Sequence, residues 1–186
     1  MDHGENHPTG GVTPARIAMV IAGVLLVSAT WTALSQPSRE LIVRHRERGP
    51  GDSVPVTFVV APDATDVDGG VPGVVVAHGF ASARQTMMGY AWKLAYAGYG
   101  VALLDFGGHG ANLGRLGEPG ETLQADIDAA GDYLLAQREV DPDRIAIAGH
   151  SMGSGAAIQA GVRRPDLFDA VVAISPTGGP VTDSLP

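Results

Sequence analysis

Cysteine is missing altogether from these 186 residues, which excludes disulfides, thiolate zinc sites and a cysteine nucleophile. Basic residues are scarce: 12 Lys+Arg stand against 20 Asp+Glu, for a formal charge of -8. From residue 51 onward the count is 16 acidic to 7 basic. A surface of that sign repels phosphate backbones, so no nucleic-acid partner is expected. Internal repeats are also lacking. What remains is one chain long enough for a single domain with a real core and too short for two of ordinary size.

Charge is absent over one stretch. Residues 1–16 are polar and turn-rich and read as a disordered tail, whereas Ile17–Ser38 carries no charged side chain at all. Eighteen helical residues at roughly 1.5 Å each reach about 27 Å, close to the hydrocarbon thickness of a bilayer. A buried core helix should show a polar stripe, so residues 17–38 are expected to form a transmembrane segment. Ala33-Leu34-Ser35 offers small residues at signal-peptidase spacing. The long preceding tail with Asp2 and Glu5 beside a single Arg16 argues instead for an uncleaved, single-pass anchor in a bacterial plasma membrane. Arg39, Arg44, Arg46 and Arg48 follow it, and by the positive-inside count the domain at 39–186 faces the cytoplasm.

Beyond the anchor, strands alternate with helices. Leu41–His45 and Val54–Val60 read as an antiparallel opening pair around a Gly-Pro-Gly turn at 49–51. Residues 61–70, with Asp63, Asp66 and Asp68, lack the terminal bidentate Glu of a calcium loop and read as a solvated hairpin loop. Val71–Ala77 has no polar side chain, the pattern of a strand buried on both faces. Helical spacing then predicts Gln85–Ala97, Glu121–Arg138 and Met152–Arg163, with strands at Val101–Leu104, Ile145–Ala148 and Ala170–Ser175. Such alternation implies an α/β fold with a doubly wound, mostly parallel sheet whose reactive loops lie at the strands' carboxyl ends.

Three of those ends carry recognisable chemistry. Gly149-His150-Ser151-Met152-Gly153 is a G-x-S-x-G between a strand and a helix. There a serine can stand on a sharp turn, with small neighbours that let the backbone close and a helix N-terminus below to favour a developing oxyanion. His78-Gly79-Phe80 ends the 71–77 strand, where the glycine lets the chain turn and aim the Phe80 N–H inward beside that of Met152. Asp105-Phe106-Gly107-Gly108-His109-Gly110 ends the 101–104 strand. His78 and His109 read as partners of loop backbone, and His150 as a structural neighbour of the serine.

HGF, LLDFGGHG and GHSMG, in that order and each at a strand end, make Leu41–Ser175 resemble the α/β-hydrolase superfamily, closest in flavour to dienelactone-hydrolase-like and esterase-type serine hydrolases. The resemblance implies Ser151 as the nucleophile at a nucleophile elbow and Phe80 and Met152 as oxyanion donors. His78, Gly79, Gly149 and Gly153 would then be supporting loop residues. It implies hydrolysis of a small acyl or lactone substrate, through an ester, thioester or lactone bond, with no metal or organic cofactor.

The departure is at the end of the chain. The family triad runs Ser…Asp/Glu…His, yet no histidine follows Ser151, and among Asp166, Asp169 and Asp183 only Asp183 falls in a loop where some relatives place the acid. A serine without a base loses about 10⁴- to 10⁶-fold in rate. The expectation is therefore the N-terminal part of a longer hydrolase, C-terminally truncated and weak on its own. The alternative is a non-catalytic remnant or binding module that keeps the pocket without turnover.

Overall fold

The computed structural model describes residues 13–35, 40–46, 54–113 and 121–176. The chain divides into two units, Met1–Ser38 and Arg39–Pro186. The first holds helix α1 (Pro14–Ser35), whose large apolar side chains from Ile17 to Val27 stand exposed on every face. Among the described residues no helix is long and apolar enough to cross a membrane, so the spanning segment expected at 17–38 is not shown. The side chains of α1 are described only to residue 30, and residues 36–39 lie outside the described residues.

The second unit is built on strands β1 (Ile42–Arg46), β2 (Val56–Val60), β3 (Val71–Ala77), β4 (Gly100–Leu104), β5 (Val140–His150) and β6 (Ala170–Ile174). Helices α2 (Met88–Tyr96), α3 (Glu121–Leu135) and α4 (Met152–Arg163) connect them. The sheet order is β1-β2-β4-β3-β5-β6. The β1/β2 and β2/β4 pairs are antiparallel and the other three parallel, giving the mixed, mostly parallel sheet expected.

Strand periodicity places alternate side chains on opposite faces. Val75, Ala77, Ala102, Leu104 and Ile147 enter one core with Ile127 and Leu134 of α3 and Ala157 of α4. Val74, Val76, Val101 and Leu103 enter the other with Ala91 and Ala95 of α2 and Met87 just before it. Each fully buried Leu, Ile or Val contributes roughly 1.5–3 kcal/mol of transfer free energy, so the central strands are fixed in place. The small residues of α4 serve close approach: a Cβ on Gly153 would sit 2.5 and 2.6 Å from the carbonyl oxygens of His78 and Ala77. β6 differs, with Val171 and Val172 39% and 50% exposed.

Four readings of the sequence need correction. The 61–70 segment is not a hairpin loop, because β2 pairs with β1 and β4 and never with β3. It is a crossover whose first part, Pro62–Asp66, is a 3₁₀ turn with Ala64 buried. The helix expected at 85–97 opens as a 3₁₀ turn (Arg84–Met87), narrowed by the Thr86 N–H bond to the Ala83 carbonyl (3.0 Å), before α2 begins. The helix expected at 121–138 stops at Leu135, where Gln137 turns back onto the carbonyls of Leu134 and Tyr133 (3.0 and 2.9 Å). The strand expected at 145–148 extends over Val140–His150, because Val140 and Asp141 pair with Val71 and Pro72 before residues 142–144 bulge out of register.

Candidate active site

Ser151 is the N-cap of α4 and has φ 53° and ψ −115°, a left-handed backbone that a non-glycine residue rarely adopts. The turn is forced by its neighbours. A Cβ on Gly149 would run into the Gly153 carbonyl and lie 2.7 Å from the Ser154 nitrogen, so only glycine lets β5 pass that close to α4. The buried Ser154 hydroxyl donates to the Ser151 carbonyl (2.6 Å), and the Ser151 N–H donates to Ile174 at the end of β6 (2.9 Å). An N-cap serine normally spends its hydroxyl on the first helical turn, but Ser151 makes no such bond. Its side chain instead borders a pocket of about 260 Å³.

The opposite wall is the segment after β3. Gly79 lies against the elbow, its pro-Cβ position 3.1 Å from His150 Nδ1 and 3.3 Å from Ser151 Cβ. Phe80, Ser82, Thr86, Met87 and Tyr90 complete the lining with His150, and none of these side chains carries a carboxylate, ammonium or guanidinium. Neither the Phe80 nor the Met152 N–H donates to another described residue. Ala81, next to Phe80, is also left-handed (φ 52°), as is Ser175 after β6 (φ 50°). Among the described residues, these three non-glycine positions with positive φ all follow the carboxyl ends of strands, where backbone strain is a recurrent companion of function.

Behind this wall lies a buried polar layer. His78 is fully buried; its Nδ1 contacts the Gly79 carbonyl (2.7 Å) and its Nε2 accepts the Phe106 N–H (3.1 Å). Burial holds its pKa below the ordinary histidine value. His109 likewise spends Nδ1 on backbone, at the Gly107 carbonyl (3.0 Å), and packs edge-on against Phe80 with centroids 5.7 Å apart. Asp105, with no exposed surface, accepts the Arg84 N–H (2.7 Å), the Ala111 N–H (2.9 Å) and the Arg84 guanidinium. Gly110 lies flat over that carboxylate, where any Cβ would collide with it. Asp126 of α3 holds the same loop through the Gly107 N–H (2.8 Å).

The structure therefore brings Ser151, Met152, Gly149, Gly153, His78, Gly79 and Phe80 together at one carboxyl edge. It places Asp166 and Asp169 elsewhere: Asp166 pairs with Arg164 on the surface, and Asp169 accepts the Ile145 N–H (3.0 Å) toward the other end of β5. Asp183 lies outside the described residues. Among the described residues no group of three or more His, Asp or Glu could hold a metal ion. Arg84 and Tyr90 went unnoticed in the sequence. The one available signal for Arg84 was a lone cation just after the His-Gly-Phe turn.

A mixed sheet in this order, with a strained serine between β5 and α4, defines the α/β-hydrolase class. The chain belongs to the Hydrolase_4 family, serine aminopeptidase, S33, whose profile matches residues 72–185. It is 41% identical over 97 residues to an uncharacterized protein of Mycobacterium tuberculosis, covering 52% of this chain and 34% of that protein. It is 29% identical over 104 residues to the bis(hydroxyethyl) terephthalate hydrolase of Streptomyces coelicolor, covering 56% and 33%. A solved Pyrococcus furiosus esterase superposes with a TM-score of 0.59 at 26% identity, covering 78% of this chain and 55% of that one. The chain thus spans about a third of the length of the curated relatives it matches.

Proposed function

We propose that this chain carries the nucleophile and oxyanion half of a serine hydrolase that cleaves an ester, thioester or lactone bond through an acyl-Ser151 intermediate. One observation carries the reading: Ser151 occupies a left-handed turn at a helix N-terminus, its hydroxyl unspent on the cap and bordering a pocket. In the proposed step Ser151 Oγ bonds to the substrate carbonyl carbon while its proton passes to a base. The carbonyl oxygen becomes an oxyanion facing the amides of Phe80 and Met152. Each such donor contributes about 10²–10³-fold in rate. Expulsion of the alcohol, thiol or lactone oxygen leaves the acyl-enzyme, which water then cleaves. His78 and His109 do not serve as the base in this scheme: both ring nitrogens of His78 and Nδ1 of His109 are committed to backbone, and both rings are buried. An uncharged lining suits a neutral acyl group, and the terephthalate-ester hydrolase and the esterase among the relatives support ester substrates.

A fluorophosphonate probe, followed over hours, is expected to label the protein at Ser151 and to leave Ser151→Ala untouched. A well-folded sample that stays unlabelled would reduce the chain to a binding module that keeps the pocket without turnover. We further propose membrane attachment through residues 17–38, supported by the exposed apolar surface of α1. Deletion of residues 1–38 is expected to move the protein from the membrane pellet to the supernatant, and a deletion variant that still pellets with vesicles refutes attachment.

A further inference from the structure

We infer that His78 is a positioning residue: its ring fixes the orientation of the Gly79–Phe80 peptide and thereby aims the Phe80 N–H at the pocket. The inference rests on the reading of that amide as an oxyanion donor and deepens it. His78 Nε2 accepts a hydrogen bond from the Phe106 amide (3.1 Å), so the single proton of the neutral ring sits on Nδ1. From there it is donated to the Gly79 carbonyl (2.7 Å). A trans peptide is planar, with its C=O and N–H pointing in opposite directions. Holding the Gly79 oxygen on the buried side, against the ring, therefore turns the N–H of Phe80 outward.

Local backbone preference would not keep it there. Gly79 has no Cβ to restrict its backbone angles and Ala81 occupies the strained left-handed region (φ 52°), so the peptide needs an external hold. His78 has no exposed surface and is wedged by Phe106 and His109, with ring centroids 5.1 and 5.2 Å away. The Phe106 bond ties the ring to the loop after β4, which Asp105 and Arg84 clamp in turn to the segment after β3. Gly79 meanwhile lies against Ser151 Cβ, so a flip of this one peptide would exchange a donor for a carbonyl oxygen next to the nucleophile.

The test compares two polar replacements of the buried ring. His78→Asn keeps an N–H donor near the Nδ1 position, whereas His78→Gln moves its amide outward toward Nε2. Two readouts are taken on the full chain: the fluorophosphonate labelling rate of Ser151, and the ¹H–¹⁵N cross-peak of Phe80 in protein labelled with ¹⁵N-phenylalanine. The Asn variant is expected to label within about threefold of the parent and the Gln variant about 100-fold more slowly, the loss of one oxyanion donor. The Phe80 cross-peak is expected to move in the Gln variant alone. A folded His78→Gln protein with parental labelling and an unmoved cross-peak overturns the inference. Should the parent itself remain unlabelled, the nucleophile reading fails, while the cross-peak pair still decides what holds the peptide.

Discussion

The two ends of the parallel strands are built on different physical terms. At the carboxyl ends of β3, β4 and β5 the polar groups are buried: His78 and Asp105 have no exposed surface and Arg84 only 5%, and all three bond to loop backbone or to one another. At the amino ends the polar contacts are mostly at the surface. Arg144 reaches Asp141 and the Gly70 carbonyl (2.9 Å) from an exposed position. The exception is Glu139, buried beneath Arg44 (2.6 Å) and Arg138 and held near a pKa of about 2 by the Arg44 hydrogen bonds. One end is organised to fix a shape at a cost in strain and desolvation, while the other closes the sheet where water screens most charges.

That contrast can be broken experimentally. The largest expected effect is from Gly153→Ala, whose methyl meets two backbone carbonyls that cannot retreat. A loss of about 3 kcal/mol or more and an abolished labelling reaction are expected, read from urea melts and the fluorophosphonate probe. Asp105→Asn comes next, at about 3 kcal/mol, the low end for a broken buried pair, because Arg84 is left buried against a neutral amide whose oxygen still accepts.

Acid should then separate the two ends. For Glu139 the folded pKa lies below the unfolded value of 4.5. Its contribution is therefore present above that pH and is lost as pH falls toward 2. After discounting for the half-open Arg44, about 1–2 kcal/mol should separate the parent from Glu139→Gln at pH 6 and vanish near pH 2, as read from denaturation midpoints. For His78 the folded pKa is also lowered, with His109 and Asp105 facing the ring. Below about pH 6.5 the unfolded chain takes up a proton that the folded one does not, so stability falls with acid in this higher window. His78→Asn should flatten that slope and leave the Glu139 window intact. Smallest of all, Asp141→Ala, which removes the cap on the Asp143 N–H and the exposed pair with Arg144, should lower the midpoint by less than any of these changes in the same melts.

Much of this fold could be read from the chain because local signals and tertiary demands agree. Val71–Ala77 has no polar side chain and is a central strand; GHSMG combines small residues with a helix start and is the strained elbow. Errors arose where a long-range partner decided the outcome. β2 reads as half of a hairpin with β3, yet its second neighbour is β4, some forty residues later, which turned the 61–70 loop into a crossover. β5 continues through Asp-Pro-Asp because the Asp141 side chain caps the Asp143 N–H (3.0 Å), so the turn is absorbed as a bulge. In the site, the serine and the two amide-bearing turns were legible from spacing. Arg84 was not, since a lone arginine beside small polar residues looks solvated until Asp105, 21 positions on, closes over it.

The bond from the Ser151 amide to the Ile174 carbonyl has a thermal consequence. It fastens the turn that carries Ser151 to β6, whose valines are the least covered of any described strand in the sheet's parallel part. Peripheral strands detach at lower free energy than whole domains melt. Warming should therefore release the elbow's left-handed kink while the two cores remain packed, and reactivity at this serine should fade several degrees before the circular dichroism changes.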